Sequence, residues 1–128
     1  MVCNMSIAQS EIDAWVDAYI AGQSSGRPVD VENPNWWAVE RFMELGERDQ
    51  AEASWIAILG VLKREPSDTV LGVLAAGPLE DLIHYWGPTF IERIEEAARR
   101  DAAFRALLGG VWRSSTPDVW DRVTAFRR

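Results

Sequence analysis

The residues best suited to chemistry lie together in the middle of the chain: Glu80, Asp81 and His84, the only histidine. His84 follows Glu80 by four positions and Asp81 by three, so on a helix it shares a face with either acid. A carboxylate beside an imidazole can perform general acid–base catalysis or supply part of a metal site. The sequence therefore allows a small metal-dependent or acid–base hydrolase that uses these three residues. Ser114 and Ser115 would serve as nucleophiles only if the fold brought His84 close to them.

A structural role at the start of a helix would also account for Glu80 and Asp81. They follow Gly77 and Pro78, and proline fits the first helical position because its missing N–H would be unpaired there. Acids in a first turn interact favourably with the helix dipole, by about 0.3–1 kcal/mol each. No second ligand pair stands at helical spacing, and the single cysteine, Cys3, is remote. We therefore predict no bound metal and no cofactor.

A second candidate site is an acidic and aromatic stretch near residue 40. We predict that Trp36, Glu40, Glu44 and Glu47 bind a partner. Trp36 and Trp37 are adjacent, so on a helix they point about 100° apart and cannot reach the same core position. We expect Trp37 to pack inside and Trp36 to lie over the long loop before it. Alternatively, Trp36 is an exposed anchor, since tryptophan is enriched at binding hot spots.

The net charge of −7 is unevenly distributed along the chain. Residues 1–81 contain 14 acids and 5 bases, whereas residues 82–128 contain 6 acids and 8 bases. An acidic chain is poorly suited to the phosphates of nucleic acids, and we predict no direct contact with them. Such a charge is compatible with a basic protein partner, although acidic surfaces also serve solubility alone.

These observations favour a non-enzymatic helical protein-binding module, an acidic inhibitor or immunity-type protein that acts on a protein partner. The hydrolase that uses Glu80, Asp81 and His84 is the alternative. A third interpretation is a structural domain that forms homo-oligomers.

The elements that must position these residues are helices. Apolar residues recur three and four positions apart, as in Ile12, Trp15, Val16 and Tyr19, and no alternating strand pattern appears. We predict an all-α fold, either a compact bundle or a layered array of seven to eight short antiparallel helices. Side chains suited to capping helix N-termini are found at the following positions: Ser6 or Ser10, Asn33 before Pro34, Ser67, Asp101 and Thr116.

Glycine and proline mark the expected helix ends in the centre of the chain. Gly77 suits the left-handed position after a helix, and Gly87 with Pro88 forms a second stop. The stretch between them therefore reads as a short helix held between two tight corners. Gly72 lies inside a nearly uncharged helix and suggests a close approach of another helix.

One part of the chain resembles a known type of domain. The run Gly-Pro-Leu-Glu-Asp-Leu at residues 77–82 is followed by Gly87, by a helix with Ile94-Glu95 and Ala98, and by Phe104, Leu107, Leu108 and the 109–112 segment. This pattern resembles a small bacterial all-helical domain family of unknown function. The resemblance extends from about Trp55 to Trp120. It implies a helical fold and little chemistry.

The length and composition indicate one domain over residues 1–128, with residues 1–9 as a loose lead-in. Residues 23–33 form the longest irregular stretch, which we interpret as a slack connection. A lone Cys3 cannot form an internal disulfide, which favours a reducing cytoplasm. No apolar run approaches the ~20 residues of a membrane-spanning helix, and no signal peptide is evident.

Overall fold

The computed structural model describes residues 7–127, which form helices and no strand. The α-helices are α1 (Gln9–Gln23), α2 (Trp36–Met43), α3 (Arg48–Lys63), α4 (Asp68–Leu74), α5 (Glu80–Arg100), α6 (Ala102–Leu108) and α7 (Pro117–Thr124), with a π-helical turn at Ala75–Leu79. The all-α prediction is confirmed. Cys3, the Ser6 cap and most of the lead-in at 1–9 lie outside the described residues. No helix within 7–127 is long and apolar enough to cross a membrane.

The chain divides into two compact units. The first unit is Met1–Val70, and the second unit is Leu71–Arg128. Each unit has buried apolar residues of its own.

The core of the first unit forms around the apolar stripe of α1. Trp15 and Tyr19 are buried as the periodicity predicts. Both pack on Phe42 of α2, with ring centroids 4.6 Å and 5.0 Å away respectively. The Trp15 Nε1–H donates to the Ala38 carbonyl at 2.9 Å. This bond satisfies a polar atom that would otherwise be costly to bury.

Helix α3 approaches α1 closely at Gly60. A Cβ atom at this position would lie only 2.9 Å from Cγ2 of Val16, so a side chain here would force the helices apart. The sequence predicted such an approach at Gly72 instead, and that prediction is wrong. Nothing lies within 4 Å of a Cβ at Gly72, because this residue is on the exposed side of α4.

The caps predicted at Ser10 and Asn33 are also wrong. Ser10 is the second residue of α1 and makes no capping hydrogen bond. Helix α2 begins at Trp36 rather than at Pro34. The Asn33 side chain accepts the Asn35 N–H at 2.8 Å, so it stabilises a turn that precedes the helix.

In the second unit, the backbone runs from α4 into α5 without the break predicted at Gly77. The intervening π-helical turn includes a bond from the Glu80 N–H to the Ala75 carbonyl, five residues earlier. Pro78 lacks an N–H and its ring crowds the preceding turn of a regular α-helix. A wider π turn accommodates this proline while the helix direction continues.

The break predicted at Gly87 and Pro88 occurs one residue earlier, as a kink inside α5. Trp86 has non-helical dihedral angles (φ −132°, ψ 20°), and the helix resumes after it. Gly87 is buried where the chain packs closely: a Cβ there would lie 3.0 Å from Cγ1 of Val119 and 3.2 Å from Cβ of Ser115. Ser115 itself has a positive φ of 69°, so this loop has little room to adjust.

Two predicted caps in the second unit are confirmed. The Asp101 carboxylate accepts the Ala103 N–H at 2.9 Å, and the Thr116 hydroxyl accepts the Val119 N–H at 3.3 Å. These bonds fix the starts of α6 and α7, and α7 then packs on α5.

Candidate functional site

Helix α2 has a buried side and a broad exposed side. Ala38 and Phe42 are buried, which turns the opposite side of the helix to solvent. Trp37 is 42% exposed and Met43 is 58% exposed. We call the outward side the α2 face, and it consists of Trp36, Trp37, Glu40, Met43 and Glu44.

The structure contradicts the expected role of one of the two tryptophans. Trp36 is half-buried, whereas Trp37 is exposed, so the prediction that Trp37 packs inside is wrong. The rotation of α2 about its axis is set by two buried residues. The Ala38 carbonyl accepts the Trp15 Nε1–H, and Phe42 packs on Trp15 and Tyr19. On a helix with this rotation, position 37 points away from the core.

The three predicted glutamates lie at or beside this face. Glu40 is exposed on α2, Glu44 directly follows the helix, and Glu47 immediately precedes α3. None of the three forms an ion pair within residues 7–127. Their carboxylates are therefore free to meet charges from outside the molecule.

A cavity of about 280 Å³ adjoins the α2 face. Its lining consists of Ile7, Glu11, Trp15, Arg41, Glu44, Asp49, Gln50 and Ala53. The Arg41 guanidinium lies 4.4 Å from the Trp15 ring centroid, an arrangement that stabilises the cation. Three acidic side chains and one arginine line the cavity, so it is suited to a basic or strongly polar group.

The residues of the hydrolase hypothesis have different environments. Glu80 Oε1 accepts the Trp112 N–H at 2.9 Å, so this carboxylate positions a loop. His84 is exposed, and its ring lies edge-on to Tyr85 at 4.6 Å. Asp81 is half-buried, and its pKa is raised by burial and by the charge of Glu80, an effect that His84 partly opposes.

The structure does not assemble a recognisable nucleophilic or metal site from these groups. Within residues 7–127, no set of three or more His, Cys, Asp and Glu side chains is placed to hold a metal ion. The hydroxyls of Ser114 and Ser115 are buried and form no hydrogen bond to a described residue, His84 included. The coupling seen between His84 and these acids is the electrostatic effect of His84 on the pKa of Asp81.

Two features of the surface were missed from the sequence. Met43 belongs to the α2 face, and its place in the last turn of an amphipathic helix was a usable signal. The second feature is a groove of about 530 Å³, which we call the Trp112 groove, lined by Gly109, Gly110, Val111, Trp112, Arg113, Trp120 and Arg127. The adjacent Trp112 and Arg113 pointed to it, but the approach of Arg127 depends on the fold.

Comparisons with known proteins give a family and no function. Neither a curated protein nor a solved structure matches the chain. A family model of unknown function, DUF6869, matches residues 25–128, which include the α2 face and the Trp112 groove. The match includes the stretch from Trp55 to Trp120 and extends well beyond it at the N-terminal side. Because it covers most of the sequence, the chain belongs to DUF6869, a family of unknown function.

Proposed function

We propose that this chain is a non-enzymatic protein-binding module, an acidic inhibitor or immunity-type protein that binds a basic protein partner through the α2 face. The observation that carries the proposal is the exposure of Trp37 and Met43 on the α2 face, with Glu40 and Glu44 between them.

The apolar part of the α2 face supplies a centre for binding. Tryptophan and methionine are enriched in protein interfaces relative to other surfaces, and tryptophan is among the commonest hot-spot residues. Trp37 and Trp36 lie side by side, and Met43 is two turns further along the helix. Desolvating such a patch favours association with a complementary apolar surface.

The charge around this centre favours a basic partner. The first unit contains 12 acids and 5 bases, whereas the second unit contains 8 of each, so the whole net charge of −7 belongs to the first unit. Opposite charges across an interface accelerate association and select partners. The unpaired glutamates Glu40, Glu44 and Glu47 would act in this way.

The cavity beside the α2 face supplies a place for a cationic side chain of the partner. Glu44 belongs to both features, and Glu11 and Asp49 extend the negative charge into the cavity. A lysine or arginine inserted there would find carboxylate acceptors. Arg41 limits this attraction, and its stacking on Trp15 keeps it in place.

The first experiment is affinity capture from the host lysate with mass spectrometry, comparing wild type with two variants. The test variant carries Trp37→Ala together with Glu40→Lys, Glu44→Lys and Glu47→Lys. The matched control carries Glu92→Lys, Asp118→Lys and Asp121→Lys, which reverse three exposed acids of the second unit. We expect one stoichiometric basic protein with wild type and with the control, and its loss with the test variant.

The salt dependence provides an independent check. Binding of the captured protein, once purified, should weaken when ionic strength rises from about 0.05 M to 0.5 M, because the Debye length then shortens to a few ångströms. The proposal would be contradicted by a partner that remains bound to the test variant, or by a partner whose affinity does not change with ionic strength.

One observation also favours the hydrolase alternative. The raised pKa of Asp81 beside His84 is a property of groups that exchange protons in active sites. The test is metal analysis of protein purified without a histidine tag, together with a hydrolase substrate panel on wild type and His84→Ala. Bound metal, or turnover lost in His84→Ala, would support the alternative. If neither is observed, the hydrolase alternative is excluded.

A further inference from the structure

We propose that the Trp112 groove binds a nucleotide, with Arg113 and Arg127 at the phosphate and Trp112 against the base. The inference concerns the second unit and is independent of the proposed protein partner. The lining of the groove contains two arginines, two tryptophans and no acid.

Arg127 is a fixed cation at one side of the groove. Its Nε–H donates to the Leu108 carbonyl at 3.1 Å and its Nη2 donates to the Gly109 carbonyl at 3.0 Å. The guanidinium also lies 5.1 Å from the Trp120 ring centroid. The partners of Arg127 within residues 7–127 are therefore neutral, and no carboxylate of these residues is paired with it. The remaining nitrogen, Nη1, can donate to an anion.

Arg113 adds a second cation to the lining of the groove. It is exposed and forms no ion pair within the part of the chain that the structure describes. Two guanidinium groups lining one groove are suited to phosphate, whose oxygens accept parallel hydrogen bonds from the planar fork of arginine.

The planar wall of the groove is the Trp112 indole, which is 75% exposed. An exposed indole of this kind can stack on any nucleobase, because every base has a π face. The loop that holds it is anchored at two points. Glu80 accepts the Trp112 N–H, and Arg127 binds the Gly109 carbonyl. The ring is therefore presented from a fixed backbone and requires little ordering on binding.

The size and charge of the molecule favour a single nucleotide over a nucleic acid strand. A groove of about 530 Å³ lies within the range of roughly 300–1,000 Å³ that small-molecule sites occupy. The second unit contains 8 acids and 8 bases, so it has no excess of positive charge for the successive phosphates of a polymer, whereas a mononucleotide needs only the local charge of the groove.

Calorimetric titration of the full-length protein with each of the four ribonucleoside 5′-monophosphates at low salt tests the proposal. We expect saturable one-to-one binding of at least one of them. Trp112→Ala and Arg113→Ala should each weaken it about tenfold, and Trp112→Phe should restore most of the loss from Trp112→Ala. Both positions are exposed, and a circular dichroism melt verifies that the variants fold. The matched controls, Trp37→Ala and Arg27→Ala, remove an exposed tryptophan and an exposed arginine elsewhere and should leave the affinity unchanged.

Four outcomes would overturn the proposal. The first is no saturable binding of any of the four nucleotides at about 1 mM, the weak end of useful affinity. The second is binding that the Trp112 and Arg113 variants do not weaken. The third is binding of inorganic phosphate or of adenosine alone as tightly as the nucleotide. The fourth is binding of a thymidine oligonucleotide without binding of mononucleotides, which would indicate a single-strand site instead.

Discussion

Charged side chains have different roles in two regions of the molecule, the contacts of α7 and of Arg127 in the second unit and the α2 face in the first. In the second unit, arginines bind groups of the fold itself: Arg122 makes two bonds to the Glu95 carboxylate at 2.6 Å and 2.9 Å, and Arg127 binds two carbonyls at the end of α6. In the first unit, Glu40, Glu44 and Glu47 form no ion pair within residues 7–127, and the core is held by aromatic stacking and by the approach at Gly60.

The difference separates charges that shape the fold from charges that are available to a partner. Glu95 is paired with Arg122 inside the second unit, whereas Glu40, Glu44 and Glu47 of the first unit are exposed to solvent. Removing Glu95 and removing Glu40 should therefore have different consequences for stability.

The largest effect is expected from a comparison of two tryptophans in the first unit. Trp15→Ala should lower the free energy of unfolding by about 3–5 kcal/mol, because it empties a buried site and removes the bond to Ala38. Trp37→Ala should change it by no more than about 0.5 kcal/mol. Urea denaturation measures both. A large loss in Trp37→Ala would show that the α2 face is part of the core and would weaken its assignment to binding.

The next effect concerns packing in the second unit. Gly87→Ala should lower the free energy of unfolding by about 1–3 kcal/mol, since the new methyl group meets Ser115 and Val119. Gly72→Ala is the matched control, because the space around it is open, and it should raise stability by about 0.5–1 kcal/mol through helix propensity. Thermal melts show whether each substitution raises or lowers the stability. Equal behaviour of the two variants would be inconsistent with the close packing at the kink.

A smaller effect tests the contrast between the charges directly. The Arg122 hydrogen bonds lower the pKa of Glu95, so its contribution to stability is present above the ordinary glutamate pKa of about 4.3 and is lost as the pH falls through the lowered value. Glu95→Gln should therefore lower the melting temperature at neutral pH, and the difference from wild type should vanish towards about pH 3. Glu40→Gln, the counterpart in the first unit, should have no such effect at either pH.

The smallest effect is expected at Asp81, where the sign is opposite. Burial and Glu80 raise the pKa of Asp81, so the ionised carboxylate weakens the fold at neutral pH, and this penalty disappears as the pH falls below the ordinary aspartate value of about 3.9. Asp81→Asn should slightly raise the melting temperature at neutral pH, with a gain that shrinks on acidification. Asp118→Asn, at the exposed first turn of α7, should give no gain. A loss of stability in Asp81→Asn would instead indicate a favourable bond made by the carboxylate.

The sequence allowed much of the local structure to be predicted, wherever neighbours along the chain decide the outcome. The apolar stripe of α1 gives its buried face, and Asp101 and Thr116 cap their helices because the groups they bind lie within three residues. The excess of acids in the first unit is also a property of the sequence alone. The acidic residues proposed for binding were found in this way, since exposure of glutamate is the ordinary expectation.

Tertiary structure decided the features that depend on residues distant in sequence. Trp37 faces outward because Trp15 and Phe42 set the rotation of α2, and Gly60 rather than Gly72 marks a close approach because only Gly60 meets α1. The π turn at Ala75–Leu79 removes the corner that Gly77 suggested, since a continuous helix can accommodate Pro78 by widening. The Glu80 carboxylate accepts the N–H of Trp112, which is 32 positions later in the sequence. Arg127 donates to the carbonyl of Leu108 at the end of α6, which is 19 positions earlier. The sequence therefore determined which residues could cap helices or carry charge, whereas packing between helices decided which of them face a partner, because helix rotation and loop closure depend on contacts that no local pattern contains.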